Sequence, residues 1–349
     1  MNAAPTSPKI LFVVDAGLSV GGGHVMRSLS LAGALTTQGG TCAFVTSPAV
    51  GHVLAAFAAD MAQVIAFSTE PRDLAKAIGG EAFDAIVFDH YGLAEREHGA
   101  MAQGRPTLVI DDLADRPLGA DILVDSGPAR AASDYAGLLP DDAALLLGPA
   151  YAPVRPEFAG LRDAALAWRG EPVGRVLVSL GLTDVGGITG RVVERLRPRI
   201  GEIGLDVVLG VDAPSLAGLA KVAKRDPRLA IHVDTPHMAR LTAEADIAIG
   251  AAGSSVWERC TLGLPSAIVV LAENQRPAAL TLAERGAALM LDAAQPDFDA
   301  GLDRALMRLI TDAGLRRELA ANSAGICDGL GAPRVAEAFM KLIAARRAG

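Results

Sequence analysis

The fold is indicated first by Ile10-Leu-Phe-Val-Val-Asp15 and the stretch that follows it, Ala-Gly-Leu-Ser-Val-Gly-Gly-Gly-His24-Val-Met-Arg27. The first run is apolar without polar alternation, which is typical of a strand covered on both faces of a sheet. The glycines of the second run let the backbone turn tightly and let a ligand approach the amino end of a helix. Together they predict a strand, a loop and a helix, the unit of a parallel α/β protein.

The same alternation of short apolar runs and helical stretches continues along most of the chain. It is interrupted over residues 148–173, where several prolines are expected to break regular structure: Pro149, Pro153, Pro156 and Pro172. We therefore predict an α/β protein with two Rossmann-like domains facing a cleft. The first covers residues 1–155 and the second residues 156–349, the latter ending in helices.

The length of 349 residues is itself that of a two-domain chain. A net charge of −8 and an aromatic content of 4% disfavour nucleic-acid binding, which needs a basic face or stacking platforms. The mean hydropathy of +0.32 is high, yet every apolar run is shorter than the ~20 residues that cross a bilayer. No membrane span is predicted, and the high value comes largely from alanine.

The three cysteines, Cys42, Cys260 and Cys327, have neither a metal-ligand spacing nor the even number of a disulfide framework. The first nine residues lack a basic segment followed by an apolar one, so no signal peptide is expected and the cytoplasm is the expected location. We predict no cofactor and no metal.

His24 is the candidate base. It follows Gly22 and Gly23 at a turn that should face the cleft, and an imidazole with an ordinary pKa of about 6.5 can accept a proton near neutrality. A histidine that only caps the loop by hydrogen bonds is an equal alternative. Arg27, one turn later, could orient a group or simply be solvated. A dinucleotide site is disfavoured, because the spacing is not GxGxxG.

A second glycine loop lies in Ile247-Ala-Ile-Gly-Ala-Ala-Gly253-Ser254-Ser255-Val-Trp-Glu258-Arg-Cys. It offers backbone N–H groups and two hydroxyls to a phosphate or diphosphate, with no metal required. The alternative is a glycine turn with a serine N-cap. Glu258 could accept both hydroxyls of a ribose, or could be only a favourable acid near a helix start.

Asn274 and Gln275 follow the next predicted strand and can hydrogen-bond a ligand, or serve as turn and N-cap residues. The two polar loops together predict a nucleotide-diphosphate pocket in the second domain, opposite the His24 loop.

The chain resembles the UDP-sugar hydrolases of the pseudaminic acid pathway, the PseG family. These are related to glycosyltransferases of the GT-B fold such as MurG. The resemblance runs over nearly the whole chain, through six motifs in order. They are Gly-Gly-His24-Val-Met-Arg27, Val-Phe-Asp89-His90-Tyr91-Gly-Leu, Val-Ile-Asp111-Asp112-Leu-Ala-Asp115-Arg116-Pro, Leu-Gly-Pro149-Ala-Tyr151-Ala-Pro-Val-Arg155-Pro-Glu157-Phe, Gly253-Ser254-Ser255-Val-Trp-Glu258 and Leu-Ala-Glu273-Asn274-Gln275.

The resemblance implies a GT-B-like fold and hydrolysis of UDP-2,4-diacetamido-2,4,6-trideoxy-β-L-altropyranose to UDP and free sugar, with inversion at the anomeric carbon. It implies His24 as the general base. The residues implied for substrate binding are Gly22, Gly23, Arg27, Asp89, Tyr91, Tyr151, Arg155, Thr183, Gly253, Ser254, Ser255, Glu258, Asn274 and Gln275. Four of them have structural alternatives: a strand-end turn for Asp89, a core aromatic for Tyr91 and Tyr151, and a junction ion pair for Arg155.

The sequence departs from the family pattern in two places. In the segment that begins at Ser179, Leu182 stands where the family has a glycine and Gly187 where it has an asparagine. Earlier in the chain, Ser126 and Gly127 stand where the family has a glutamine and an asparagine. The lost amides belong to the implied sugar pocket, so a related diacetamido sugar stays open as the substrate.

Two other functions stay open as well. A glycosyltransferase on the same fold would release UDP only when an acceptor is supplied, and a nucleotide-sugar binder would bind without turnover. The sequence does not indicate an oligomeric state.

Overall fold

A computed structural model describes residues 7–17, 22–169 and 172–348, which form two compact units. The first unit comprises the described residues of Met1–Val154 together with those of Leu330–Gly349, and the second comprises those of Arg155–Gly329. Each unit is built on one parallel sheet with helices on it, so the predicted α/β class is confirmed.

The first unit has a seven-stranded sheet in the order β3-β2-β1-β4-β5-β6-β7. Its strands are β1 (Lys9–Val14), β2 (Thr41–Thr46), β3 (Ala62–Ile65), β4 (Ala85–Asp89), β5 (Thr107–Ile110), β6 (Ile122–Asp125) and β7 (Ala144–Leu147). Its helices are α1 (Gly23–Thr37), α2 (Pro48–Phe57), α3 (Pro71–Ile78), α4 (Glu95–Ala102) and, from the end of the chain, the helix over Gly331–Ala348.

The chain runs outward from β1 in both directions, first to β2 and β3 and then back to β4. Val14 at the end of β1 is level with Asp89 at the end of β4, and Phe12 is level with Phe44 of β2, with which its ring stacks at 4.8 Å. The order of strands therefore reverses between β1 and β4. In open parallel sheets ligands bind beyond the carboxyl ends of the strands at such a reversal.

The second unit has a six-stranded sheet in the order β10-β9-β8-β11-β12-β13. Its strands are β8 (Arg175–Ser179), β9 (Gly204–Leu209), β10 (Leu229–Val233), β11 (Ile247–Ala251), β12 (Ser266–Val270) and β13 (Leu289–Asp292). Its helices are α5 (Pro156–Leu166), α6 (Ile188–Leu196), α7 (Leu216–Ala223), α8 (Met238–Glu244), α9 (Ser255–Thr261), α10 (Arg276–Glu284), α11 (Phe298–Thr311) and α12 (Ala313–Ala324). Here the order reverses between β8 and β11, where Ser179 is level with Gly250.

The proline-rich segment is more regular than predicted. It contains α5, which begins at Pro156, because a proline at the first helical position has no N–H to lose and is tolerated there. The edge strand β3 was not predicted either. Of its four residues only Val64 is buried, so the apolar pattern that marks a strand is weak.

The end of the chain also differs from the predicted second domain, which ran to residue 349. The helix over Gly331–Ala348, α13, belongs to the first unit. Its apolar face inserts Val335, Phe339 and Ile343 into the core formed by β1, β4 and α1, where each is at most 2% exposed. Burial of this face decides where the helix packs. Among the described helices, none has the length and apolar composition needed to span a bilayer.

Phe339→Ala should lower the free energy of unfolding of the first unit by about 3–5 kcal/mol, because it leaves a cavity at a fully buried aromatic site. Hydrogen exchange followed by mass spectrometry should show faster exchange in peptides from β1 and β4 than in peptides from β8 and β11. Lys341→Ala is the control on the same helix, since Lys341 only forms a surface pair with Glu337. Equal effects of Phe339→Ala on both sheets would contradict the placement of α13.

Candidate active site

His24 lies in the first turn of α1, beyond the carboxyl end of β1. Gly22 and Gly23 precede it, and the Gly22 carbonyl accepts the first hydrogen bond of the helix from the N–H of Met26 at 3.1 Å. The remaining part of the predicted glycine loop, residues 18–21, lies outside the described residues. The described turn places the imidazole next to the end of β4, at the reversal of the sheet.

Asp89, the last residue of β4, is fully buried, and its carboxylate is held by side chains of α1. Arg27 binds it with two donors, Nε to Oδ2 at 2.8 Å and Nη2 to Oδ1 at 2.6 Å. Ser28 donates its hydroxyl to Oδ2 at 3.1 Å. A buried carboxylate is tolerated only when it is paired and hydrogen-bonded, and a two-point contact with arginine is the strongest pairing available.

The imidazole of His24 meets the same residue. Its Nδ1 is 3.2 Å from Oδ1 of Asp89 and 3.3 Å from the Asp89 carbonyl oxygen. Both oxygens can only accept, so the hydrogen of the neutral ring lies on Nδ1 and the lone pair lies on Nε2. Within the described part of the chain Nε2 makes no hydrogen bond. This is the tautomer that a proton acceptor at Nε2 requires.

Burial lowers the pKa of His24 below its ordinary value, and the Arg27 charge acts in the same direction, while Asp89 partly opposes both. For Arg27, burial opposes the charge, but Asp89 and Asp112 together raise its pKa well above the ordinary value. Arg27 is therefore always charged and His24 is neutral near pH 7. The arrangement holds a neutral imidazole beside a permanently paired carboxylate.

Tyr91 and Asp112 complete the cluster. The Tyr91 ring meets the His24 ring edge to face, with centroids 4.5 Å apart and planes at 88°. Its hydroxyl donates to Oδ1 of Asp112 at 2.6 Å, while Arg27 Nη1 donates to Oδ2 at 3.0 Å. Burial would raise the pKa of Asp112, but Arg27 and Tyr91 lower it. Asp112 was quoted in a motif but not predicted as a site residue. Its position just after β5 was the available signal.

A second buried network lies beside it, after β5 and β6. The single hydroxyl hydrogen of Tyr135 is shared between Oδ2 of Asp111, 3.0 Å from the hydroxyl oxygen, and Oδ2 of Asp125, 2.8 Å from it, and Arg130 binds Asp125 at 2.6 Å. Arg130 also donates to the carbonyl of Asp112 at 2.7 Å. The network therefore fixes the backbone from which the Asp112 carboxylate extends.

In the second unit, the predicted phosphate loop, residues 253–255, follows β11. Ser254 stands at the N-cap position of α9, as the alternative interpretation had it, but its side chain makes no capping hydrogen bond. Gln275 lies beside the loop. Its Oε1 accepts from the N–H of Leu271 at 3.0 Å, and its Nε2 lies against Gly253, 3.5 Å from where a Cβ would stand. Asn274 is exposed in the same turn, Glu273–Gln275.

Glu258 and Arg155 were predicted as separate contacts, to the ribose and to the sugar. The structure pairs them: Nε and Nη2 of Arg155 both contact Oε1 of Glu258, at 2.9 and 2.8 Å. The junction ion pair foreseen as the alternative for Arg155 is therefore present. In the described residues Oε2 of Glu258 accepts no hydrogen bond, so one oxygen of a fixed carboxylate stays open to a ligand.

Comparison with known proteins agrees with the predicted resemblance. The chain is 27% identical over 281 residues to the UDP-2,4-diacetamido-2,4,6-trideoxy-beta-L-altropyranose hydrolase of Campylobacter jejuni, which covers 80% of this chain and 97% of the hydrolase. Residues 223–325 match the glycosyltransferase family 28 C-terminal domain.

Solved structures extend the likeness to the whole chain. MurG of Acinetobacter baumannii superposes with a TM-score of 0.64 at 18% identity, covering 96% of this chain and 100% of MurG. A UDP co-structure of S. aureus MnaA gives a TM-score of 0.63 at 13% identity, covering 94% of each chain. The fold is GT-B. The two parallel sheets of this chain, of seven and six strands, match the fold of GT-B glycosyltransferases such as MurG.

The backbone differs between the two glycines that depart from the hydrolase pattern. Gly187 has a φ of +70°, a left-handed conformation that asparagine also adopts. At Gly127 a Cβ would stand 2.9 Å from Oδ1 of Asp125, which accepts the Gly127 N–H at 2.7 Å. Ser126 lies between Asp125 and Gly127 in this turn. At the other departure, the carbonyl of Leu182 accepts a hydrogen bond from the N–H of Gly210 at 3.0 Å.

Two further predicted residues, Tyr151 and Thr183, form no side-chain hydrogen bond with another predicted site residue within the described part of the chain. Tyr151 packs against the core of the first unit, as the core-aromatic alternative had it, and has no described contact with His24. Thr183 is half-buried after β8. Its neighbour Asp184 is fully buried and accepts from the N–H groups of Thr189 and Ser215 at 2.8 and 2.9 Å, which fixes the turn.

The His24 tautomer can be tested by nuclear magnetic resonance. Long-range nitrogen–proton spectra should show His24 with its hydrogen on Nδ1 and with a pKa below 6.5. Asp89→Asn removes a negative charge that raises this pKa, so the pKa should fall further. His24→Gln assigns the signal among the six histidines. A hydrogen on Nε2 at neutral pH would contradict the arrangement.

Proposed function

We propose that this chain hydrolyses a UDP-linked 2,4-diacetamido-2,4,6-trideoxyhexose to UDP and the free sugar. The observation that carries the proposal is the contact between His24 Nδ1 and Asp89, which leaves the lone pair on Nε2 for a water molecule. The likeness to a hydrolase named for the β-L-altropyranose sugar supports both the class of enzyme and UDP-2,4-diacetamido-2,4,6-trideoxy-β-L-altropyranose as the first substrate to try.

In the proposed reaction a water oxygen forms a bond to the anomeric carbon and gives its proton to Nε2 of His24. The bond from that carbon to the β-phosphate oxygen breaks, and its electron pair leaves with UDP. Attack on the face opposite the leaving group inverts the anomeric centre. Asp89 stabilises the imidazolium that forms, and because Arg27 and Ser28 fix Asp89, no reorganisation is needed.

The second unit would hold the nucleotide. Glu258, oriented by Arg155, would accept from the ribose hydroxyls through its open oxygen. The N–H groups of residues 253–255 and the amide nitrogen of Gln275 would donate to the diphosphate. UDP is a weakly basic leaving group, so a strong general acid is not required, and affinity for an anion comes from local donors in a chain whose net charge is −8.

A glycosyltransferase is the second candidate, favoured by the match to the family 28 C-terminal domain. The two functions differ in their need for an acceptor. Incubation of the pure protein with the UDP-altropyranose derivative and water alone should release UDP and free sugar, measured by mass spectrometry. Release of UDP only after addition of an acceptor would make the chain a transferase.

In the same assay His24→Gln should lower the rate of UDP release by about 100- to 10,000-fold, the usual contribution of a general base. Activity should fall as the pH drops through the pKa of His24, which lies below 6.5, because the protonated ring cannot accept a proton. His52→Gln is the matched control, since His52 is an exposed histidine on α2. Full activity of His24→Gln would exclude it as the base.

Glu258→Gln should weaken binding of UDP by about tenfold and leave binding of 2′,3′-dideoxy-UDP nearly unchanged, because a neutral amide is a poorer acceptor for the ribose hydroxyls. Calorimetric titration measures both. Glu244→Gln, which alters only a surface pair with Arg240, serves as the control. An equal loss for the two nucleotides would place Glu258 away from the ribose.

A further inference from the structure

Arg259 is a buried cation underneath the 253–255 loop. It lies on α9 one turn after Ser255 and is 2% exposed. Its Nη2 donates to the carbonyl of Ala251 at 2.6 Å, and its Nη1 donates to Oγ of Ser255 at 3.2 Å. Its Nε is buried without a hydrogen-bond partner. The guanidinium thus makes hydrogen bonds on both sides of the loop, while its Nε–H donor makes none.

The charge of Arg259 is also not neutralised. Among the described residues no carboxylate forms an ion pair with it, and burial lowers its pKa to about 10. Arginine is almost never fully buried unless it is paired, because the loss of hydration is then uncompensated. Asp89 in the first unit shows the usual solution, with Arg27 as its partner. The Arg259 guanidinium loses its hydration on burial, and no ion pair with a carboxylate offsets this loss.

The strand in front of it is shaped for this side chain. A Cβ at Gly250 would stand 2.5 Å from Nη1 and 2.6 Å from Cζ of Arg259, so a side chain there would displace the guanidinium from its present position. Gly250 lies in β11, next to Ser179 of β8, at the reversal of the second sheet. The sequence therefore keeps the guanidinium against the strand that leads into the loop.

We propose that Arg259 is a positioning residue that gives the 253–255 loop its affinity for the diphosphate of the nucleotide. The inference rests on the proposed function and deepens it. Because Ser255 Oγ accepts from Nη1, its own hydrogen points elsewhere and is available to a phosphate oxygen. The bound anion in turn supplies the negative charge that the buried cation lacks.

The test uses the full chain and compares two probes, UDP and uridine, by calorimetric titration. Arg259→Met should weaken binding of UDP by about 10- to 100-fold, the range for a hydrogen bond involving a charged group, and change binding of uridine less than about twofold. A merely structural role would weaken both probes alike. Arg316→Met is the matched control, because Arg316 is 3% exposed and donates to the carbonyls of Leu309 and Ile310, away from the loop.

Ser255→Ala keeps the experiment decisive if Arg259→Met does not fold. It should reproduce the selective loss of UDP affinity. In the double variant the two losses should not add, because Arg259 acts through Ser255. Arg259→Lys should restore part of the affinity, since it keeps the charge but not the two-point contact.

Unchanged UDP affinity in folded Arg259→Met, or additive losses in the double variant, would overturn this inference and leave the proposed hydrolase standing. Failure of the wild-type chain to bind UDP would instead overturn the proposed function, and this inference with it.

Discussion

The carboxylate of Asp89 is the constraint on which the first unit depends. It lies at the end of a central strand with no access to solvent, where an unpaired charge would cost several kcal/mol. Arg27 and Ser28 satisfy it from successive positions of one helix, and His24 from the preceding turn of the same helix. Packing of α1 against the end of β4, the tautomer of the imidazole and the orientation of Arg27 between Asp89 and Asp112 all follow from this one group.

The two units bury opposite charges beside the reversals of their sheets. Asp89 is the last residue of β4 in the first unit, and the Arg259 guanidinium packs against Gly250 of β11 in the second. The anion is fully compensated within the protein, whereas the cation has only neutral partners. In the proposed function the compensated charge orients a base, and the uncompensated one attracts an anionic ligand. The two units then differ in whether the buried ion has a charged partner within the protein.

Local patterns predicted every strand except β3, the two polar loops and the position of His24 at a strand-to-helix turn, because hydrophobic periodicity and glycine turns are local signals. The pairs that define the site could not be predicted this way. Arg27 and Asp89 are 62 positions apart, and Arg155 and Glu258 are 103 apart. Arg155 was assigned to the sugar, although its partner is the carboxylate assigned to the ribose. Pro156 was interpreted as a break in regular structure, yet α5 begins at this residue. Proline disrupts the interior of a helix but is favoured at its first position, and the local sequence does not distinguish the two cases.

The position of α13 has a consequence for the order in which the chain folds. The core of the first unit needs Val335, Phe339 and Ile343, which lie beyond the whole of the second unit in sequence. During synthesis the second unit has all its strands and helices while the first still lacks its last helix. The amino-terminal unit, although it leaves the ribosome first, is therefore the one whose core closes last.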